Sequence, residues 1–236
     1  MSINKHRTQE PGNKSNRQKS GQGSPFNELA LEYDAWFDNE GRFTFDIEVP
    51  AFAGLLPVLP QPWLEIGVGS GRFAQAIGIA TGLDPSMQLV RIARQRGITT
   101  VLGQGEKEPF SDRSFGTVFL IVTLCFLDSP PSVLREVNRI LIPDGKIVLG
   151  MVLRESPWGE VYQQKKSQGH RFYKHSTIYK HDEVIALLTQ AGFVVERTIS
   201  TLFQKPGTVR HREEPREGYF PEAGFTVIMA GKRNIH

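Results

Sequence analysis

Residues 63–71 read Trp-Leu-Glu-Ile-Gly-Val-Gly-Ser-Gly, and this stretch decides the fold. An apolar strand runs directly into three glycines at alternate positions, Gly67, Gly69 and Gly71. Glycines at this spacing let the backbone turn tightly and approach a ligand without clashes from Cβ atoms. A helix should then open at Arg72 and present its free amide groups to that ligand. The spacing therefore predicts a strand–loop–helix unit that binds a small molecule.

Glu65, two positions before the first glycine, indicates what kind of ligand this loop holds. Residues 69–74, Gly-Ser-Gly-Arg-Phe-Ala, also match the degenerate dinucleotide-binding pattern, in which the helix N-terminus faces a pyrophosphate. A carboxylate at the end of the strand instead suits a ligand that is not an anion. Residues 80–86, Ala-Thr-Gly-Leu-Asp-Pro-Ser, follow as a strand that ends in Asp84, an acid suited to hold a ribose diol. Together the two segments favour a nucleoside that carries a positive charge.

Strands and helices alternate along the chain, which predicts a mostly parallel sheet with helices on both faces. The expected strands lie near residues 62–66, 79–83, 99–102, 115–123 and 146–153, and the expected helices lie at 26–37, 72–78, 86–96, 131–141 and 182–191. Two further strands, 194–201 and 225–231, should form a terminal antiparallel pair. The segment 154–180 has no clear periodicity. Because it follows the fifth strand, it should lie at the edge of the sheet where ligands bind.

The ordered series of motifs resembles the class I S-adenosylmethionine (SAM)-dependent methyltransferases, specifically the small-molecule branch that includes the ubiquinone- and menaquinone-biosynthesis enzymes. Residues 103–106, Gly-Gln-Gly-Glu, followed by Pro109 and Phe110, are similar to the third motif of that family. Residues 134–145 are similar to its helix before the fifth strand. The resemblance covers residues 33–232. It implies a Rossmann-like α/β fold, a mostly parallel seven-stranded sheet with a C-terminal antiparallel hairpin, and SAM as the cofactor.

The resemblance also implies which residues bind the cofactor. Glu65 would interact with the amino acid part of SAM, Asp84 would accept both ribose hydroxyls, and Gln104 with Glu106 would lie by the adenine. The full expected set is Glu65, Gly67, Gly69, Gly71, Asp84, Pro85, Gln104, Gly105, Glu106 and Thr123. Two features depart from the family pattern. Position 104 is Gln rather than the commoner Asp, although its carbonyl can still accept from an adenine amine. About one helical turn is missing between the loop and Asp84, so the first helix of the unit should end near Gly78.

Aromatic residues outside the predicted sheet are expected to form the acceptor pocket, although packing in the core would also account for those on the first helix. They lie on that helix, which lids the cofactor in this branch, after the fourth strand, and in the 154–180 segment. The set is Tyr33, Trp36, Phe37, Phe126, Trp158, Tyr162, Phe172 and Tyr173. The catalytic residue is not assigned, with His170, Tyr173 and His175 as candidates for a general base. Nothing cationic flanks Cys125, so a buried thiol is expected there rather than a reactive one.

The basic charge of the chain is concentrated at its N-terminus. The 236 residues carry +3 overall, but residues 1–24 carry +4 and the other residues carry −1. Because residues 1–24 contain almost no apolar side chains, we expect a disordered basic tail there and a methyltransferase domain over 25–236. No apolar stretch reaches transmembrane length, and no Cys/His cluster has metal-ligand spacing. The single cysteine fits a reducing cytoplasm, where we expect the protein to reside.

These features predict an enzyme that moves the methyl group of SAM to a small organic acceptor by in-line displacement. Two alternatives stay open: an RNA or protein methyltransferase, and a SAM-binding regulator without transfer activity. The slightly acidic folded part argues against a nucleic-acid partner. Residues 122–125, Val-Thr-Leu-Cys, also replace the Asn-Pro-Pro-Tyr-type tetrapeptide that many base-amino methyltransferases have after the fourth strand. Neither the acceptor nor the oligomeric state follows from the sequence.

Overall fold

One sheet of eight strands organises the part of the chain that the computed structural model describes, residues 26–233. In chain order the strands are β1 (Trp63–Ile66), β2 (Thr81–Asp84), β3 (Thr99–Leu102), β4 (Phe115–Ile121), β5 (Leu141–Met151), β6 (Phe193–Thr201), β7 (Arg216–Glu217) and β8 (Phe225–Lys232). Across the sheet their order is β3-β2-β1-β4-β5-β8-β6-β7. The expected tail, residues 1–24, lies outside the described residues.

The first five strands are parallel to one another, and β8 runs antiparallel between β5 and β6. This arrangement confirms the mostly parallel Rossmann-like sheet with a C-terminal antiparallel hairpin. The predicted number of strands is corrected from seven to eight, because Arg216–Glu217 pairs with Ile199 and Ser200 at the edge. β7 has only two residues, both exposed, so it has none of the apolar alternation that marks longer strands.

Helices pack on both faces of the sheet. In the described part they are α1 (Phe26–Trp36), α2 (Arg42–Glu48), α3 (Pro50–Ala53), α4 (Arg72–Ile77), α5 (Met87–Gln95), α6 (Pro130–Ile140), α7 (Pro157–Ser167) and α8 (His181–Gln190), with 3₁₀ turns at Leu56–Val58, Leu124–Phe126 and Tyr173–His175. All seven residues of β4 are buried. Phe119 and Ile121 belong to one core cluster, and Val118 and Leu120 belong to the other. Alternate residues of one strand therefore fill two cores, as a sheet covered on both faces requires.

The first helix of the glycine-loop unit is short, as the missing turn predicts. α4 ends at Ile77, and Gly78 follows it in the left-handed conformation with φ of 89°. The Gly78 N–H donates to the carbonyl of Ala74, which closes the last turn. A glycine in this conformation is a common helix stop because it has no Cβ to clash.

Three helices, α2, α3 and α7, are not predicted by the sequence pattern. α7 begins where the Ser156 hydroxyl accepts from the Gly159 N–H at 3.0 Å, and Pro157 occupies its first turn. Only Trp158 and Gly159 of α7 are buried, so no repeating apolar face marks this helix in the sequence. α2 and α3, with seven and four residues, are too short for periodicity to show.

Candidate functional site

The glycine loop lies where the order of the strands reverses. β1 is flanked by β2 and β4, so connections leave it in opposite directions, and ligands of open α/β sheets bind outside the carboxyl ends of the strands at such a point. Gly67, Gly69 and Gly71 have φ values of 72°, 55° and 81°. A Cβ at Gly67 would lie 2.4 Å from Thr123 Oγ1. The loop therefore needs glycine for both its backbone conformation and its closeness to Thr123.

Asp84 ends β2 directly beside this loop. Its Oδ2 accepts from the Gly69 N–H at 2.9 Å, and its Oδ1 accepts from the Ser86 N–H at 2.8 Å. Burial raises the pKa of the Asp84 carboxyl to about 6, and the two backbone N–H groups limit that rise. Each carboxylate oxygen has a second lone pair, so the group can still accept from a ligand.

Glu65 is a buried carboxylate without a counter-ion. Its side chain is 2% exposed, and its Oε2 has no hydrogen-bond partner within residues 26–233. Burial, together with the nearby Asp84 carboxylate, raises the pKa of Glu65 well above its usual value. A buried charge of this kind is costly unless it is paired. A ligand that brings a positive charge to the loop would supply the missing partner.

α1 covers the loop through Tyr33. A Cβ at Gly69 would lie 3.4 Å from Tyr33 Cε1 and 3.8 Å from its hydroxyl oxygen, so the ring rests on the loop. Burial, with smaller contributions from Asp84 and Glu65, raises the pKa of the Tyr33 phenol above its usual range. A neutral phenol therefore stands next to the two carboxylates.

Ion pairs fasten α1 over the edge of the sheet. Asp34 Oδ1 accepts from Arg72 Nε and Asp34 Oδ2 accepts from Arg96 Nη2, both at 2.8 Å. Partial burial opposes ionisation of Asp34, but these bonds hold its pKa below the usual value. At the other end of α1, the Asn27 side chain accepts from the Ser86 hydroxyl at 2.7 Å. α1 is thus attached to the first residue of α4 and to the residues on either side of α5.

The residues expected near the adenine lie in the loop after β3. Gly105 is buried, and a Cβ there would come within 3.1 Å of Ile66 Cγ2. Gln104 is exposed and Glu106 is half-buried, while Pro85 is exposed beside Asp84.

Glu108, which the sequence analysis did not single out, is the unusual residue of this loop. It is 6% exposed, and neither carboxylate oxygen has a hydrogen-bond partner within the described residues. Burial raises the pKa of Glu108 to about 8, and Glu136 adds to that rise. Glu108 lies two positions before Phe110 in the loop after β3. Its neighbours are loop residues, so nothing in the sequence indicates that this acid is buried.

A second space adjoins the glycine loop at Thr123. Its volume is about 20 Å³, close to that of one water molecule. Its walls come from the ends of β4 and β5, from α7 and from the 3₁₀ turn after it, and they include Val122, Thr123, Cys125, Val152, Tyr162 and Tyr173. Val122 has φ of 53°, a conformation that a β-branched residue rarely adopts and that often marks a functional site. Burial raises the pKa of Cys125 to about 12, so its thiol is neutral, as expected for an unreactive one.

Two stacked tyrosines form one wall of this cavity. The rings of Tyr162 and Tyr173 lie 4.6 Å apart at an interplanar angle of 17°. Burial raises the pKa of Tyr173 to about 12 and that of Tyr162 well above its usual value. Both are therefore neutral phenols at physiological pH.

The other aromatic residues expected in the acceptor pocket divide into two groups. Tyr33, Phe126 and Phe172 meet around Phe26, with ring centroids 5.6, 5.2 and 5.9 Å from it. The second group packs elsewhere: Trp36 against Phe37 and Gly41, and Trp158 against Gly224 with its Nε1 donating to the Gln204 carbonyl. Aromatic contacts thus join α1 to the segment after α7.

The candidate bases differ in their surroundings. The His170 ring lies 5.2 Å from that of Tyr173, and burial together with Lys165 lowers the pKa of His170 below its usual value. His175 is exposed.

Glu48 is the second acid that the sequence analysis missed. It ends α2, is 7% exposed, and lies close enough to Tyr162 and Tyr173 to raise the pKa of both. The sequence does hold a signal: Thr44, Ile47 and Glu48 share the buried face of α2, so an acid stands where an apolar residue is expected. This pattern becomes visible only after α2 has been recognised as a helix.

Within residues 26–233, no helix has the length and apolar character needed to cross a bilayer, and no group of three or more His, Cys, Asp or Glu side chains is arranged to hold a metal ion.

Comparison with known proteins gives consistent results. A family model described as a methyltransferase domain matches residues 64–149. An uncharacterized protein of Mycobacterium tuberculosis is 40% identical over 203 residues, which cover 85% of this chain and 71% of that protein. An uncharacterized protein of Methanocaldococcus jannaschii is 37% identical over 207 residues, which cover 88% and 98% respectively.

A solved structure from Thermotoga maritima is similar over nearly its whole length. It is described as a SAM-dependent methyltransferase and possible histamine N-methyltransferase, and it has a TM-score of 0.83 and 36% identity over 89% of this chain and 99% of that one. The glycine loop, the acid that ends β2 and the uncompensated carboxylate of Glu65 fit the cofactor that this description names. The protein therefore belongs to the class I methyltransferases that use S-adenosylmethionine as their cofactor.

Proposed function

We propose that this enzyme transfers the methyl group of SAM to a small organic acceptor that enters between α7 and the carboxyl ends of β4 and β5 and widens the cavity of about 20 Å³ that lies there. The observation that carries the proposal is the position of Thr123, whose side chain packs on Gly67 and also lines the cavity. The two spaces thus share one wall. SAM supplies a methyl group that is already electrophilic because it is bonded to a sulfonium.

The cofactor-binding roles follow from charge and position. Glu65 would pair with the ammonium of the amino acid part, because its Oε2 has no hydrogen-bond partner within residues 26–233. Asp84 would accept from the ribose hydroxyls while its bonds to Gly69 and Ser86 keep the loop in place. The Tyr33 ring would close the site from above. Gln104 and Glu106 would line the adenine end.

The acceptor side contributes orientation and exclusion of water rather than strong acid–base chemistry. Tyr162, Tyr173 and the neutral thiol of Cys125 form a largely apolar wall that can hold an acceptor in line with the methyl group. Alignment of two reactants can lower a barrier by roughly 7–11 kcal/mol in favourable cases. With its pKa near 12, Tyr173 is suited to donate a hydrogen bond and not to remove a proton at neutral pH. His170, whose imidazole is neutral at pH 7, is the better candidate base of the three, and the exposed His175 is the weakest.

Transfer from SAM labelled in its methyl group to a panel of small amines, phenols, thiols and carboxylates tests the proposal. The panel includes histamine, because the T. maritima protein carries that possible assignment. We expect at least one class to accept the label, and calorimetry should detect binding of S-adenosylhomocysteine. Binding of NAD by a protein that ignores both SAM compounds would contradict the proposal.

A pair of glycine variants provides the control. In Gly67→Ala the new Cβ meets Thr123 at 2.4 Å, so we expect loss of S-adenosylhomocysteine binding and of transfer. Gly207 has a similar positive φ of 78°, but a Cβ there would have no atom within 4 Å, so Gly207→Ala should retain both. Equal effects of the two variants would mean that backbone strain alone, and not the loop's closeness to Thr123, is responsible.

A further inference from the structure

An open groove of about 300 Å³ lies between α7 and the chain that follows it, and the proposed reaction leaves it without a role. Its volume is at the lower end of the range for small-molecule sites. Two of the residues that line it are cations and none is an acid. The lining residues are Arg154, Gln163, Lys166, Ser167, Thr177 and Ile178.

The chain around this groove is strongly basic, although the folded part as a whole is not. Residues 161–181 contain five Lys and Arg side chains and no Asp or Glu. Residues 25–236 together carry −1, so positive charge is concentrated in this one segment. A concave surface lined by charge of one sign attracts ligands of the opposite sign. The groove is therefore suited to an anion.

Lys166 brings a charge to the groove that no carboxylate neutralises. Its Nζ donates to the Ser176 carbonyl, which places the ammonium beside Thr177 in the wall of the groove. Within residues 26–233 Lys166 forms no ion pair. Because an ammonium has three N–H donors, Lys166 can keep its bond to Ser176 and still donate to a ligand.

Arg154 is the second cation of the groove, and it is only partly compensated. Its Nη2 donates to Glu183 Oε1, and the two side chains are 32% and 46% exposed. Its buried Nε has no hydrogen-bond partner in the part of the chain that the structure describes. A guanidinium has five N–H donors, so the bond to Glu183 does not exhaust it. Glu183 is thus a competitor for any anion that binds Arg154.

The groove adjoins the proposed acceptor cavity. Ile178 lines both spaces. Tyr162 lines the cavity, and Lys166 lines the groove one turn further along α7, so the two side chains share a face of the helix. Four residues correspond to about 6 Å along a helix axis. A small molecule that enters beside α7 can therefore have one end in the cavity and the other in the groove.

We propose that Arg154 and Lys166 form a subsite for an anionic group of the acceptor, a carboxylate or a phosphate, at the end remote from the methylated atom. This inference rests on the proposed function and names its substrate class: small molecules with an apolar or aromatic body and one anionic group. The anionic group is an anchor, and no bond to it forms or breaks. The methyl group goes to a nucleophile at the other end of the same molecule.

Calorimetry on the full chain, with S-adenosylhomocysteine present at saturation, tests the subsite. The probes are 3-phenylpropanoate, its neutral amide 3-phenylpropanamide, and 2-phenylethyl phosphate. The first two have nearly the same shape and differ in charge, and the third shows which anionic group the subsite prefers. We expect at least one of the anions to bind about fivefold or more tightly than the amide, since two partly exposed charge pairs are formed.

Lys166→Gln removes the uncompensated cation. It should weaken binding of the preferred anion by about threefold to fivefold, the range for an exposed charge pair, and leave binding of the amide unchanged. Lys174→Gln is the matched control, because Lys174 is exposed, belongs to the same basic segment and lines neither space.

Glu183→Gln tests the subsite by a gain of binding, which loss of folding cannot imitate. The variant removes the competitor for Arg154, so the anion should bind about twofold to fivefold more tightly. Glutamine can still accept from the Lys180 N–H, as Glu183 Oε2 does at 2.9 Å, so the start of α8 is preserved. Asp182→Asn removes an equal charge from the neighbouring position, which is not bonded to Arg154, and should have a smaller effect.

The outcomes separate the two proposals. Failure of S-adenosylhomocysteine to bind would overturn the proposed function itself. If S-adenosylhomocysteine binds but the amide binds as tightly as both anions, or if neither anion binds, the subsite is wrong and the proposed methyl transfer stands. The same conclusion follows if Lys166→Gln retains the preference for the anion. Should Lys166→Gln melt at a lower temperature than the unmodified protein, Glu183→Gln decides, and the absence of tighter binding in that variant would overturn the subsite.

Discussion

Asp84 combines a structural and a binding role in one side chain. It holds Gly69 and Ser86 by backbone hydrogen bonds and still has free lone pairs toward the site. We expect Asp84→Ala to weaken binding of S-adenosylhomocysteine by roughly 1.5–3 kcal/mol, the range for hydrogen bonds to a charged group. Calorimetry measures the change, with the exposed Asp112→Asn as the control. An unchanged affinity would mean that the ribose is held by other residues.

Glu108 should make the stability of the protein depend on pH. Its pKa is about 8 in the folded chain against 4.5 for an ordinary glutamate, so the folded state binds the proton more tightly than the unfolded state does. Stability is then greatest below about pH 4.5 for this group and falls by up to about 1.4 kcal/mol per pH unit until pH 8. Glu108→Gln should therefore raise the melting temperature at pH 8 much more than at pH 5.

Thermal melts of Glu108→Gln beside Glu214→Gln make the comparison, because Glu214 is exposed. An equal gain at both pH values would show that Glu108 is ionised in the folded protein throughout that range.

The residues whose role depends on local sequence were the ones that could be predicted. Gly67 and Asp84 stand out by spacing alone, and the structure brings them together because β1 and β2 are adjacent parallel strands. Glu48 and Tyr162 could not be paired from the sequence, since they are 114 positions apart and lie on helices with no apolar repeat. The strained backbone of Val122 likewise has no signature in a run of apolar residues.

At the scale of elements, α1 depends on one carboxylate for its position. Asp34 bonds to both Arg72 and Arg96, whereas Asp38 reaches only Arg72 and is 63% exposed. We expect Asp34→Asn to weaken S-adenosylhomocysteine binding by about 1 kcal/mol, a modest value because the pair is only partly buried. Amide hydrogen exchange over residues 26–36 should become faster in the same variant.

Asp38→Asn is the matched control, and it should change both quantities less. If the two variants behave alike, α1 is held by its aromatic contacts and not by the ion pairs.

Helices and strands were predicted correctly where the repeating pattern of apolar residues extends over enough positions to be recognised. α5, α6 and β4 were found within two residues of their ends, because each has a continuous buried face or a wholly buried core. α7 was missed because its apolar side chains are aromatic residues that face a cavity and a loop rather than a regular helix–sheet interface. Of the three helices that the sequence left unassigned, α7 thus lines the proposed acceptor cavity.

At the scale of the whole molecule, charge separates the small-molecule acceptor from a nucleic acid. Residues 25–236 carry −1, and the basic charge lies in residues 1–24. Turnover of a true acceptor should change by less than about twofold between 50 and 200 mM salt, whereas a protein with several phosphate contacts loses roughly a thousandfold or more in affinity. Steady-state rates across that range test this expectation. Steep salt dependence that disappears when residues 1–24 are deleted would favour an RNA acceptor.

Different parts of the chain are suited to the methyl donor and to the acceptor, and this separation affects how the protein can evolve. Residues suited to the methyl donor lie in loops after β1 and β2, while the walls of the proposed acceptor cavity come from the ends of β4 and β5, from α7 and from the segment that follows α7. Mutations in the second group leave the backbone of the glycine loop untouched. A lineage can therefore change from one acceptor to another by single substitutions in α7 or the segment after it without passing through a form that has lost its donor, and relatives with the same loop are expected to differ in what they methylate.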